Sequence, residues 1–250
     1  MIEHTFQIAK GIGKGRECKL WESGILTWND FMDASGIPGI KEKKKSECDL
    51  LFREAYTLLD ERDCYGLGEM LAPGEQWRLY DRFRDDAGYL DIETDGLERD
   101  SLVTVVTVHK KDETCTLTHG IDLDAESLSK ALEGVKLLVT FNGRCFDVPV
   151  LRNSFPNVDL DMPHFDLRFG CKKAEFKGGL KTVEKELGLK RSDDIVDIDG
   201  FEAVRLWKAW ERSGDSRARE LLTEYNRADT VNLTRIADET YRRLVVKNGF

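Results

Sequence analysis

Hydrophobic and polar positions follow two textures that meet near residue 85. Beyond that point, short apolar or β-branched runs alternate with polar turns. GYLDIET (88–94) reads as an apolar strand ending in acids, and LVTVVTV (102–108) as a β-branched strand. TCTLT (114–118) reads as the partner of LVTVVTV across the polar KKDE turn. KLLVTFN (136–142) reads as a buried strand and HFDLRF (164–169) as a further short one. Helical spacing appears at 127–132, 146–153, 179–187, 201–211 and 217–243. Strands first and alternating helices after them predict an α/β layout with a mixed sheet over residues 86–250.

Residues 1–85 carry no clear period-2 strand. DLLFREAYTLLD (49–60) spaces Leu50, Leu51, Ala55 and Leu58 as one helical face, and Trp21, Ile25, Trp28 and Phe31 form a second apolar set around short helices. Glycines at 11, 13, 15, 24, 36 and 39 punctuate the segment. It is expected to be a small, all-helical N-terminal module.

Composition narrows the classes. With 40% hydrophobic and 34% charged residues over 250 positions, the chain has enough apolar mass for real cores and is not of the disordered type. No apolar run approaches the roughly 18–20 residues that span a bilayer, so no membrane association is expected. The opening MIEHTFQIAKGIG has no apolar stretch with a cleavage site, so no secretory leader is expected. A net charge of −9 excludes a binder held to nucleic acid by overall positive charge. It leaves open an enzyme that reaches phosphates through local basic patches or metal ions. Six cysteines occur without a CxxC, and no histidine pair has zinc spacing, which argues against zinc or disulfide frameworks. Scattered thiols predict a reducing, cytoplasmic location.

Carboxylates carry the candidate chemistry. Asp91 and Glu93 lie two apart at a strand end, so period 2 turns both to one face. Such a pair repels unless a cation shares it, although an isolated DxE is more often a solvated strand end. Asp147 follows the buried strand and opens a helix, where the helix dipole alone favours an acid. Tyr225 and Asp229 are at i, i+4 and stack on one helix face beside Leu221, Leu222, Ala228, Val231 and Leu233. Taken together, four carboxylates in this order could hold two hard divalent cations in oxygen coordination. Such a pair clamps the attacking and leaving oxygens of a phosphoryl displacement. Magnesium or manganese suits oxygen ligands better than zinc does.

DIETDGL, FNGRCFDVPVL and EYNRADTVNL resemble the three motifs of the DEDDy group of DnaQ-like exonucleases, of the ribonuclease H-like superfamily. The YprB-like branch is closer still, through HFDLRF at Asp166, GGLKTVEKELGLKR ending at Arg191, and the late YNxxD. The resemblance covers about residues 86–245. It implies a ribonuclease H-like mixed five-stranded sheet flanked by helices. It further implies metal-dependent 3′→5′ exonucleolytic cleavage of single-stranded or frayed DNA or RNA with two Mg²⁺ or Mn²⁺ ions. Asp91, Glu93, Asp147 and Asp229 are implied as the ligands, and Tyr225 as the residue that orients the attacking water. A structure-specific endonuclease on the same ions and a binding module with a vestigial site are the rival readings. The intact acids argue against the second. The motifs do not decide between DNA and RNA and name no protein partner.

Weaker signals concern nucleic-acid binding. Lys172, Lys173 and Lys177, with Lys181 and Lys185, could track a phosphate backbone, and a solvated face balanced by Glu175, Glu184 and Glu186 explains them as well. GIGKGRECKL resembles a helix-hairpin-helix turn, with Gly11 and Gly13 as its GxG core and Lys14 and Arg16 as phosphate contacts. A plain helix–turn–helix packing element fits the same residues. His164, which would be catalytic in a histidine-type relative, and Asp166, at a strand end, read as structural.

Overall fold

The computed structural model describes every residue except Leu97 and Arg99. Leu97, which closes DIETDGL, is therefore outside the described residues. The chain divides into two compact units, Met1–Arg84 and Asp85–Phe250.

The first unit is helical: α1 (Lys14–Glu22), α2 (Trp28–Asp33), α3 (Glu42–Asp60), α4 (Cys64–Glu69) and α5 (Tyr80–Phe83). Thr27 starts α2 with a capping box, its hydroxyl accepting from Asp30 N–H while the Asp30 carboxylate returns to Thr27 N–H. Phe6, Trp28, Phe31 and Phe52 interlock with ring centroids 5.0–6.0 Å apart. A buried Glu17 is satisfied by Thr5 Oγ1, Phe6 N–H, Gln7 Nε2 and Arg78 Nη2.

Two expectations for this unit need correction. The buried stripe of α3 is Cys48, Phe52 and Ala55, while Leu50 is 70% exposed. Leu50 lies about 200° around the helix from Cys48, and the fully buried Phe52 outweighs it in setting which face turns inward. The Gly11–Gly13 turn does not join two α-helices. A 3₁₀ turn (Ile2–His4) and irregular chain precede it, and Gly13 is the N-cap of α1. Gly11 has φ +88°, and its carbonyl accepts from Arg16 Nη1 at 2.8 Å. The turn thus closes on its own arginine as an ordinary helix entry.

The second unit is a mixed five-stranded sheet in the order β3-β2-β1-β4-β5. It is formed by β1 (Ala87–Thr94), β2 (Val103–Lys110), β3 (Glu113–Thr118), β4 (Leu137–Thr140) and β5 (His164–Asp166). The first three strands are antiparallel, and β4 and β5 run parallel to β1. On one face Leu90, Ile92, Val106 and Val108 pack with Leu128, Val150 and Leu151 of the helices α6 (Ala125–Ala131) and α7 (Asp147–Ser154). On the other face Val105 packs with Trp207, Leu222 and Tyr225 of α10 (Gly200–Ser213) and α11 (Ser216–Lys247). Between these lie α8 (Leu167–Lys173) and α9 (Leu180–Glu186). Among the described residues no helix is long and apolar enough to cross a membrane.

HFDLRF is not one strand. Asp166 ends β5 and caps α8, its side chain accepting from Arg168 N–H at 3.0 Å, so Leu167 onward is helical. KLLVTFN also stops early, because Asn142 turns left-handed at φ +73°. Strand β1 pairs with β4 only over Ala87–Tyr89 but with β2 as far as Thr94. Asp91 and Glu93 therefore lie on the stretch of the central strand that has run past β4, at the carboxyl ends of the parallel strands. Open α/β sheets bind ligands at this position.

Candidate active site

Alternation along β1 sends Leu90 and Ile92 into the α6/α7 core and leaves Asp91 and Glu93 for the opposite face, toward α11. On α11, Leu222, Asn226, Asp229 and Leu233 are all buried and recur at i, i+4, i+7, i+11, so one stripe of this helix faces the sheet. The two polar residues in that stripe meet the acids of β1. Asp91, Glu93 and Asp229 each offer a carboxylate oxygen, all within 4.8 Å of one another. Asn226 Nδ2 donates to Asp91 Oδ2 at 2.8 Å.

Asp147 begins α7, just beyond the end of β4. Its carboxylate accepts from the backbone N–H of Ile92, between Asp91 and Glu93, and its Oδ1 is buried with no hydrogen-bond partner. The approach to it is braced from several sides. Asp166 accepts from Asn142 N–H at 2.9 Å and Arg144 N–H at 3.0 Å, which holds the loop between β4 and α7. Gly143 N–H donates to Thr140 Oγ1, and a Cβ at Gly143 would come within 2.4 Å of that oxygen. His164 Nε2 lies 2.8 Å from Thr140 Oγ1.

Electrostatics reflect this crowding of anions. Burial, then the neighbouring carboxylates, hold Asp91 and Glu93 well above the ordinary carboxylate range. Asp147 is pushed up to about 7 by burial first, with Asp166 adding and the Ile92 N–H opposing. Asp229 also rises to about 7 through burial, against the pull of Arg191. Burial and the same acids raise the Tyr225 phenol, so it stays protonated at neutral pH. His164 falls to about 3 through burial and the nearby Arg144, and it stays neutral. A carboxylate cluster this poorly compensated, with an orphaned buried oxygen on Asp147, fits hard divalent cations held by oxygen ligands.

Not every predicted residue converges here. Tyr225 is buried one turn before Asp229 on the same helix. Lys172 and Lys173 are at the carboxyl end of α8, and Lys177 is in the turn beyond it. Asp166, which braces the site, caps the other end of α8, roughly 9 Å along the axis from Lys172. Gly11, Gly13, Lys14 and Arg16 belong to the first unit. Sequence reasoning gave no task to Asn226, the N of YNxxD, or to Arg191; it read Asp166 as structural, and the backbone braces agree. Asn226 was detectable as a polar residue inside an otherwise apolar stripe. The contacts of Arg191 and Asp166 depend on chain crossings that leave no local pattern.

No curated protein matches the chain. Among solved structures it is similar to the family B DNA polymerase from the hyperthermophilic archaeon Pyrobaculum calidifontis. That match has 16% identity and a TM-score of 0.46, and covers 60% of this chain and 24% of the polymerase. The family model of the RNase H superfamily matches residues 88–241, from the acid-bearing strand to the end of the long helix, and the chain belongs to that superfamily.

Proposed function

We propose that the protein is a metal-dependent 3′→5′ exonuclease of the DEDDy type, acting on single-stranded or frayed DNA or RNA. The observation that carries this reading is the convergence of Asp91, Glu93 and Asp229 within 4.8 Å; Asp147, whose Oδ1 is orphaned, lies outside that trio but raises the pKa of both Asp91 and Glu93. These four residues would hold two divalent cations, Mg²⁺ or Mn²⁺. When bound, such ions supply Lewis-acid stabilisation of the attacking and leaving oxygens at phosphorus.

The chain's own residues have separable tasks. Asp91 and Glu93 present anions from one strand face, and Asn226 fixes the rotamer of Asp91. The Ile92 N–H anchors Asp147 while leaving its second oxygen free. Tyr225 keeps its proton, so its hydroxyl acts as a hydrogen-bond donor that aims a water at the terminal phosphorus rather than as a base. Lys172, Lys173 and Lys177 would contact the phosphate backbone at a distance from the acids. The N-terminal unit, through the exposed Lys14, would add affinity without chemistry.

End-labelled DNA and RNA of one sequence, incubated with Mg²⁺ or Mn²⁺, test the reading. A descending ladder from a 5′-labelled strand, with mononucleotides released from the 3′ end, is expected. A single internal cut would replace the exonuclease reading with an endonuclease, and no cleavage with either ion would remove both.

A further inference from the structure

GGLKTVEKELGLKR ends at Arg191, a residue to which the proposed chemistry gives no task. Its side chain is only 5% exposed. Nε and Nη2 donate to Glu184 Oε2 at 3.0 and 2.6 Å, while Nη1 lies 2.5 Å from Asp229 Oδ1. The guanidinium carbon is 5.3 Å from the centre of the Tyr225 ring. Glu184 is itself held, its Oε1 accepting from Asn232 Nδ2 at 2.7 Å. Asn232 is three residues after Asp229 on α11, so that helix grips Glu184 directly and, through Arg191, a second time.

The geometry points to Arg191 as a positioning residue, which sets the orientation of Asp229 and Tyr225 for the metal and water sites proposed above. The inference rests on that metal reading. An ordinary interhelical ion pair would end on any surface acid. This one ends on a carboxylate of the cluster and against the ring of the residue that aims the water. A planar fork can hydrogen-bond Glu184 through Nε and Nη2 while Nη1 stays in ion-pair contact with Asp229, and a lysine ammonium cannot reproduce both. Outer-shell groups that orient a ligand typically change metal affinity by about 10–100-fold when removed.

Charge has to be separated from geometry, because deleting Arg191 alone would strip a positive charge from beside the cations and leave Glu184 buried without a partner. The double variant Glu184→Gln/Arg191→Met removes one charge of each sign and leaves the net charge beside the cluster unchanged. Mn²⁺ alone is titrated calorimetrically into the full-length wild type, the double variant and Arg191→Lys, with melting curves in EDTA alongside. The expected result is Mn²⁺ binding at least about tenfold weaker in the double variant, with no rescue by Arg191→Lys, which keeps the charge but not the fork. Mn²⁺ binding equal to wild type in the double variant would overturn the inference and leave a purely structural brace. If the double variant does not fold, Arg191→Lys decides on the same readout, and wild-type affinity there overturns the inference. Absence of Mn²⁺ binding by the wild type itself overturns the metal reading, and this inference with it.

Discussion

Asn226 donates its amide to Asp91 Oδ2 at 2.8 Å, joining the long carboxyl-terminal helix to the central strand across 135 positions of chain. Asn226 is fully buried, and its own Oδ1 has no hydrogen-bond partner. Asn226→Ala should cost about 1–3 kcal/mol, the scale of losing a partner to a buried polar group. Asn226→Asp places another carboxylate among the acids. Its melting temperature in EDTA should fall more at pH 8 than at pH 5, and Mn²⁺ should recover most of the loss. Melts in the two buffers check this; equal loss at both pH values would show that the site does not concentrate negative charge.

Metal-linked stability should depend on pH with a definite sign. Asp147 and Asp229 rise from 3.8 to about 7 on folding. Their contribution to metal-free stability is complete below about pH 4 and is lost as pH rises through about 7. Cation binding needs the ionised forms, so Mn²⁺ should stabilise strongly at pH 8 and little at pH 5. At a hundredfold excess over Kd the gain is about 2.7 kcal/mol, or roughly 5–10 °C for a chain of this size. His164, held down to about 3, shifts stability in the opposite direction as pH changes. It contributes equally with and without metal, so the difference between Mn²⁺ and EDTA melts cancels it.

Asp91→Asn and Asp147→Asn should each abolish cleavage while the fold persists. Both remove charge from a cluster in which burial and repulsion already disfavour it, so the EDTA melting temperature should rise or hold at pH 8. Turnover near wild type in either variant would remove that residue from the proposed ligand set.

Tyr225→Phe keeps the ring that packs with Ile195, Trp207 and Leu222 and deletes only the hydroxyl. Melting temperature and Mn²⁺ affinity should barely move. Turnover should drop by roughly 10–1000-fold, through loss of one orienting hydrogen bond. Single-turnover cleavage measures this directly, and a wild-type rate would exclude the water-aiming role.

Gly143→Ala tests the brace behind Asp147. The added Cβ would lie 2.4 Å from Thr140 Oγ1 and 2.6 Å from its Cβ. Thr140 is fully buried, β-branched and bonded to His164, so it cannot turn away. A cost of about 1–3 kcal/mol is expected, with weakened Mn²⁺ binding as the loop shifts Asp147. Thermal melts and Mn²⁺ titration separate the two effects.

Much of the second unit was legible in local pattern. All five strands and the late helix were visible from β-branched runs and helical spacing, because strand and helix periodicities are properties of neighbouring residues. The same periodicity put Asp91 with Glu93, and Tyr225 with Asp229, on common faces. It failed where a single polar residue redirected the chain. Asp166 capped α8 inside what read as a strand, and the left-handed Asn142 ended β4 early. In α3 the apolar count favoured Leu50, but burial followed Phe52, because side-chain size and fit choose which face of a helix turns inward.

The tertiary structure alone decided what surrounds the acids. Ion pairs and hydrogen bonds act between chains brought close in space, and sequence spacing carries no trace of them. Glu184 reaches Arg191 within its own motif, but only the packing of α9 on α11 delivers that guanidinium to Asp229. Asp147 acquires its raised pKa and its unpartnered oxygen only when the loop held by Asp166 folds back over the end of β1. The residue types that carry the chemistry were written in the sequence; their desolvation, mutual repulsion and bracing exist only once the strands and the last helix have closed on one another.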